Sequence, residues 1–321
     1  MPWIVGIDEA GYGPNLGPLV MTSVACRVPS DLDGADLWRV LRAAVRRHPS
    51  RKDGRLLVED SKLVYTTARG LLDLETGVLA ALSPWQTSQD VCLAQYIDWA
   101  CPDSHADLRG ESWYSGSSRL PVATPAGGFG RPAERFRRAC AKKGLAWGLV
   151  RSVVLCPPRF NALVDEWGSK GAALGHALAE LLRCNRHLEG EAEPVTFVID
   201  KHGGRNTYAP MVQHALPDAM VLAHEESMNR SRYSLLGLGR EVRLVFEPRA
   251  DAGHFCVALA SMASKYLREL LMLEFNRFWQ VHVPGLKPTA GYHTDSTRFF
   301  ADIRPAAERL GIPEAALWRR K

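Results

Sequence analysis

Short apolar runs alternate along this chain with stretches of helical periodicity, and glycine- and proline-containing breaks separate them. Runs at residues 3–7 and 19–28 predict buried strands on either side of a Gly- and Pro-rich loop. Helical patterns cover 36–47 and 67–82, the second with Leu71, Leu72, Val78, Leu79 and Leu82 on one apolar side. From 85 to about 130 the periodicity is lost among Pro102, Pro121, Pro125 and the tract Ser115-Gly116-Ser117-Ser118, which predicts an excursion inserted on the core. A basic helix at 132–143, a strand at 147–155, a helix at 169–184 and a strand at 195–200 follow. Strands at 219–222 and 241–246 then lead into a long helix from about 252 to 279. An amphipathic helix at 295–310 ends the pattern, with a frayed basic end expected at 319–321. Strands mixed with helices predict an α/β fold class. The division expected is a main domain over 1–280 and a C-terminal helical segment of the same domain over 281–321.

Composition narrows the class without assigning a chemistry. A chain of 321 residues is long enough for a substantial core. Its seven cysteines are scattered and form no C-x-x-C pair, which disfavours a disulfide framework and a structural zinc, so a cytoplasmic location is expected. No stretch reaches membrane-spanning length, and no membrane partner is expected. A net charge of +5 is compatible with a polyanionic partner.

Candidate chemistry begins where the first apolar run ends. Asp8 and Glu9 stand there, ahead of Gly11 and Gly13, and two adjacent carboxylates beside an apolar strand point to a cation. Neighbouring side chains on a strand face opposite ways, so both acids are expected to serve one site only if the strand stops here. The glycines permit that break and let a bulky ligand approach main-chain N–H groups. The run at 195–200 likewise ends in a carboxylate, Asp200, followed by Gly203 and Gly204. On the long helix Ser261, Lys265 and Glu269 share a face, whereas Glu274 lies about 140° away. Asp251 has the azimuth of Glu269 but lies about 27 Å along the axis of a continuous helix. Glu269 is therefore chosen for the centre, and Asp251 is expected to be an N-cap accepting near Gly253 or His254.

The motifs carrying these residues occur in a familiar order. Gly6-Ile-Asp-Glu-Ala-Gly, Gly13-Pro, Gly17-Pro, Asp60-Ser61-Lys62, Ile199-Asp200, Ala260-Ser-Met-Ala-Ser-Lys265 and Gly291-Tyr292-His-Thr294 follow one another as in type 2 ribonucleases H. The chain resembles that family except in the excursion near 85–130. The resemblance implies a ribonuclease H-like mixed sheet flanked by helices, with 1–280 as the catalytic domain and 281–321 as a substrate-contact segment. It also implies an endonuclease that hydrolyses the RNA strand of RNA–DNA hybrids and leaves 5′-phosphate and 3′-hydroxyl ends. Asp8, Glu9, Asp200 and Glu269 then match the acids that hold Mg2+ or Mn2+, with two ions during catalysis.

Substrate contacts implied by the match are Gly11, Tyr12, Gly13, Lys62, Lys265 and Tyr292, the last stacking on a sugar at the RNA–DNA junction. The partner is an RNA–DNA hybrid or a ribonucleotide-containing duplex, and a monomer is expected. Two positions depart toward type 3 enzymes. Tyr12 replaces the usual arginine between the glycines, where type 3 enzymes have threonine, and Glu269 stands where most type 2 members have aspartate. Two further readings stay open: a catalytically impaired nucleic-acid binder of the same fold, and a sugar-kinase-like phosphotransferase, which should show two duplicated halves. A dinucleotide site is disfavoured, because Gly11-x-Gly13-x-x-x-Gly17 has the wrong spacing.

Overall fold

The computed structural model describes every residue except 51, 67, 85–90, 126, 186–187, 189–191 and 321. In chain order it runs β1 (Trp3–Ala10), β2 (Leu19–Arg27), α1 (Leu37–Val40), β3 (Val45–Arg46), β4 (Leu56–Leu57), α2 (Ser61–Val64) and α3 (Leu72–Leu82). The excursion contains β5 (Val91–Cys92), α4 (Leu93–Ala100), α5 (His105–Arg109) and β6 (Arg119–Leu120). Next come α6 (Gly130–Lys142), β7 (Ala146–Leu155), α7 (Pro157–Trp167), α8 (Lys170–Cys184), β8 (Val195–Asp200) and α9 (Ala209–Ala215). The chain finishes with β9 (Met220–Glu226), β10 (Ser231–Leu236), β11 (Val242–Glu247), α10 (Ala250–Gly253), α11 (Phe255–His282) and α12 (His293–Leu310).

Among the described residues seven strands form the main sheet in the order β7-β2-β1-β8-β11-β10-β9. Only β1–β8 and β8–β11 pair parallel; the other neighbours are antiparallel. Alternation along β2 shows why helices cover both faces. Val20, Val24 and Cys26 enter one core cluster with α3 and α11, while Leu19, Met21 and Ala25 enter the other with α7, α8 and α9. The fold is thus mixed α/β, a mostly antiparallel sheet between helical layers.

Two features position the functional end of the sheet. A Cβ on Gly6 would fall 2.2 Å from the backbone carbon of Cys256, so glycine alone lets α11 lie directly on β1. The excursion is tied down by buried carboxylates. Glu75 of α3 accepts from the N–H groups of Val122, Ala123 and Thr124 and from the Tyr266 hydroxyl. Glu274 of α11 accepts from the N–H groups of Ser115, Gly116 and Ser118.

Several sequence expectations require correction. The pattern at 36–47 is helical only over α1, because Val45 and Arg46 are drawn into parallel pairing with Leu56 and Leu57. The long helix is broken at His254, which is extended (φ −128°, ψ 120°), so α10 and α11 are separate. Asp251 accordingly lies inside α10 and accepts from Ala252 N–H, rather than capping α11. β10, α7 and α9 were not predicted. The basic end is not frayed: Arg319 is 1% exposed and Leu16 pairs with Trp318. Residues 85–90 and 126 of the excursion, Thr67 of the predicted second helix, and Lys321 lie outside the described residues. All seven cysteines are free thiols. No helix among the described residues is long and apolar enough to cross a membrane.

Candidate active site

Strand β1 does not stop at its acids. It continues to Ala10, with Asp8 opposite Thr22 and Glu9 opposite Met21 on β2. What stops is its other neighbour: the parallel register with β8 ends at Ile7–Ile199, one residue before Asp200. Beyond that point the β8 side of β1 has no ladder partner among the described residues. Asp8 and Glu9 point to opposite faces, yet both remain within electrostatic reach of Asp200. The expected break in β1 is therefore unnecessary.

Asp8 is 6% exposed and faces α11, where Ser261 lies beside its carboxyl and Ser264 Oγ donates to the Asp8 carbonyl at 2.9 Å. Burial first, then the charges of Glu9, Asp200 and Asp251, push its carboxyl well above the usual range. Glu9 is pushed up to about 7 by burial and then by Asp200. Burial also raises Asp200, against the N–H of Ala250, which donates to its Oδ1 at 2.8 Å.

That hydrogen bond brings in a residue the sequence argument set aside. In the β8–β11 register Glu247 lies opposite Asp200, so the chain leaving β11 emerges beside the same strand end. It turns through Arg249 (φ 57°) into α10, and Asp251 follows. Burial, then Asp60 and then Asp200, raise Asp251 to about 6. Asp8, Glu9, Asp200 and Asp251 thus gather at one end of the sheet, Asp8 feeling the charges of the other three, with Asp60 beside Asp251.

Glu269 is held elsewhere. Its Oε1 lies 2.6 Å from Lys265 Nζ and 3.7 Å from Arg268 Nη1. It also accepts from the Tyr65 hydroxyl, which burial and this carboxylate push up to about 12. Lys265 lies over the Tyr65 ring at 4.6 Å. The i,i+4 ion pair is therefore the observed environment of Glu269. The sequence held one signal for Asp251, since Gly253 weakens any continuous helix; the parallel pairing of β11 with β8 that delivers it to Asp200 is a feature of the fold.

Around the acids lie cations and the glycine turn. Asp60 caps α2 by accepting from Lys62 N–H at 2.8 Å. Burial opposes the Lys62 charge, but Asp60, Asp251, Asp8 and Asp200 outweigh it and raise the ammonium. Arg47 makes a bidentate pair with Glu59 (2.6 and 2.9 Å) and donates to the Ala252 carbonyl at 2.7 Å, joining β3 and β4 to α10. His202, two residues past Asp200, is buried; burial first and then Arg205 drive it down to about 3, so it is neutral.

Gly11 has φ +91°, and a Cβ there would meet Arg268 Nε at 2.5 Å. Beneath the turn the fully buried Arg268 donates to the carbonyls of Pro18 (3.2 Å) and Ala290 (3.0 Å). Arg319 bonds the Pro14 carbonyl. Tyr12 leans on the core cluster that contains Tyr208. Tyr292 is 42% exposed, and its ring is the nearest group to a Cβ built on Gly13, at 3.7 Å.

All donors in the acid group are carboxylate oxygens, a set suited to hard cations such as magnesium and manganese. A divalent cation would relieve the repulsion that raises these acids. Among the described residues, no three His, Cys, Asp or Glu side chains converge closely enough to hold a metal ion as they stand. A cation would have to draw these carboxylates inward.

No protein-family model and no curated protein sequence matches the chain. Solved structures similar to it include ribonuclease HII of Archaeoglobus fulgidus, from its complex with PCNA, at 16% identity over 99% of this chain and 94% of that one, TM-score 0.45. Ribonuclease H2 from Pyrococcus horikoshii OT3 is 14% identical over 98% of this chain and 92% of that one, TM-score 0.41. Bst-RNase HIII in complex with Mn2+ is 13% identical over 99% of this chain and 65% of that one, TM-score 0.39.

Proposed function

We propose that this chain is a Mg2+- or Mn2+-dependent endonuclease that hydrolyses the RNA strand of RNA–DNA hybrids, leaving 5′-phosphate and 3′-hydroxyl ends. The observation that carries the reading is the gathering of four carboxylates, Asp8, Glu9, Asp200 and Asp251, at one end of the sheet, where Asp8 feels the charges of the other three. The order of sequence motifs supports the substrate class. In this reading Asp251 takes the place that sequence reasoning gave Glu269, and the four acids hold the ions. Divalent ions held there would supply orientation of an attacking water and stabilisation of the departing oxygen of an in-line displacement.

Other residues handle the substrate. Lys62, beside the acids, meets phosphate charge. Glu269 and Tyr65 hold the Lys265 ammonium in one place, where it contacts the backbone. Gly11 and Gly13 allow main-chain approach to the ribose, and Tyr292 stacks on the sugar beside them. Tyr12 supplies no guanidinium, so phosphate contact at that turn is weaker than an arginine would give, and a run of ribonucleotides is cut faster than a single embedded one.

The test incubates the protein with a uniform RNA–DNA hybrid and with duplex DNA carrying one ribonucleotide, with magnesium, with manganese, and with neither. Metal-dependent cuts in the RNA strand are expected, and Asp8→Asn and Asp251→Asn abolish them. Absence of cleavage by the wild type, or full cleavage by both variants, rejects the proposal.

A further inference from the structure

Helix α6 lies outside everything assigned so far. Its buried stripe is Ala133, Phe136 and Cys140, and Phe136 stacks on Trp147 with ring centroids 5.5 Å apart. The opposite side is cationic. Arg131, Arg135, Arg138 and Lys142 recur at intervals of four, three and four, which places them on one exposed face, and Arg137 and Lys143 flank it. Residues 130–143 hold six cations and one carboxylate, Glu134. Their surplus of five equals the formal net charge of the whole chain, +5, so the remainder is balanced.

Little neutralises this face from within. Glu134 pairs with Arg138. Among the described residues no ion pair engages Arg131, Arg135, Arg137, Lys142 or Lys143. Four like charges along one helix face repel at i,i+3 and i,i+4 spacings, and a polyanion would remove that cost.

The face is also connected to the acid centre. Arg135 reaches the segment between β3 and β4, its Nη1 lying 3.8 Å from a Cβ built on Gly54. A groove of about 900 Å³ runs from there between α3 and the turn before α6, with Arg46, Arg55 and Arg69 on its walls, the first two paired with Asp73 and Asp53. At the other side of the same segment Arg47 bonds Glu59 and the carbonyl of Ala252, next to Asp251.

We propose that the exposed face of α6 is a second contact surface for the substrate, gripping the phosphate backbone of the duplex at a distance from the cleaved bond. The proposal rests on the nuclease reading and extends it from the reacting phosphate to the flanking duplex. The stripe spans about 16 Å at 1.5 Å per residue, which corresponds to about five phosphates of one strand at 3.4 Å each along the duplex axis. A membrane fits less well, because the apolar residues of α6 face inward and leave no face to insert.

The experiment compares wild type with Arg131→Gln/Arg135→Gln/Arg138→Gln/Lys142→Gln. Thermal unfolding checks that both are folded, and exposed glutamines disturb no packing. Binding is measured without divalent ions to a 30-base-pair hybrid and to an 8-base-pair hybrid across a salt series, and to vesicles containing phosphatidylserine. The variant is expected to lose at least about tenfold in affinity for the long hybrid, and its slope of log K against log salt to fall by about 3 to 4. Its binding and cleavage of the short hybrid stay unchanged.

An unchanged salt slope on the long hybrid overturns the proposal. So do equal losses on long and short hybrids, or a charge-dependent loss seen only with vesicles. The two readings fail separately. Cleavage by a variant whose salt slope is unchanged removes the α6 surface and keeps the nuclease. Length-dependent binding through α6 without cleavage removes the nuclease and keeps the surface.

Discussion

Glu75 and Glu274 are as deeply buried as Asp8, at 0%, 4% and 6% exposure, but their surroundings are opposite in kind. Each of the two glutamates is enclosed by donors. Glu75 accepts three backbone N–H groups and a phenol hydroxyl, and Glu274 three backbone N–H groups and the hydroxyls of Ser115 and Ser118. Hydrogen bonds to the ionised form make such burial tolerable. At the end of the sheet Asp8 faces the charges of Glu9, Asp200 and Asp251, and burial raises all four, Asp200 in spite of the Ala250 N–H and Lys62 beside it. One pair of carboxylates holds the excursion to α3 and α11. The other group stores repulsion that a bound cation would release.

The comparison is broken most severely through catalysis. Asp251→Asn is expected to lower hybrid cleavage by about 10³-fold or more, the scale of losing a principal electrostatic element. Glu269→Gln, which only loosens Lys265, should cost far less. Steady-state rates in manganese decide between them, and the reverse ranking would return the fourth position to Glu269.

Stability separates the two groups next. Glu274→Ala strands the N–H groups of Ser115, Gly116 and Ser118, at about 1–3 kcal/mol for each buried group left unpaired, so a loss of about 3 kcal/mol or more is expected in urea unfolding. Asp8→Asn, measured without divalent ions at pH 8, should be neutral or stabilising. If both substitutions destabilise equally, the contrast drawn here does not hold.

A smaller and graded effect is expected with pH. Glu9 titrates at about 7 in the fold against an ordinary value of 4.5, and Asp251 at about 6 against 3.8. Within those windows the native state keeps protons that the unfolded chain has released, so without metal stability falls as pH rises from about 4 to 7. The melting-temperature gain on adding manganese should grow over the same interval and vanish in Asp8→Asn/Asp251→Asn. A gain independent of pH would mean that these acids do not hold the ion.

How much of this was legible in advance depended on whether a signal was local. β2, β8 and α8 were read within a residue or two, since apolar run length and helical periodicity are local features. The helix expected at 36–47 failed because Val45 and Arg46 pair with Leu56 and Leu57, eleven residues on, which no periodicity records. Strand β10, which lies between β11 and β9, was missed because its alternation, Tyr233 and Leu235 inward with Arg232 and Leu236 outward, is short and includes polar positions. Of the acids gathered at the sheet end, Asp8, Glu9 and Asp200 were singled out from strand ends. Asp251 was lost because a continuous helix was assumed through His254, although that residue is extended.

By itself the sequence determined an α/β chain with strand-end carboxylates, a glycine turn before β2 and a surplus of positive charge concentrated in one basic helix. These follow from side-chain period, backbone permissiveness and charge, all properties of neighbours in the chain. Only the tertiary structure decided which acids act on one another and which are neutralised, because that depends on register. Pairing β11 parallel to β8 delivers Asp251 to Asp200, whereas helix rotation commits Glu269 to Lys265 and Glu274 to the excursion. The same carboxyl group is a tether or a charged centre according to whether folding surrounds it with donors or with other carboxylates.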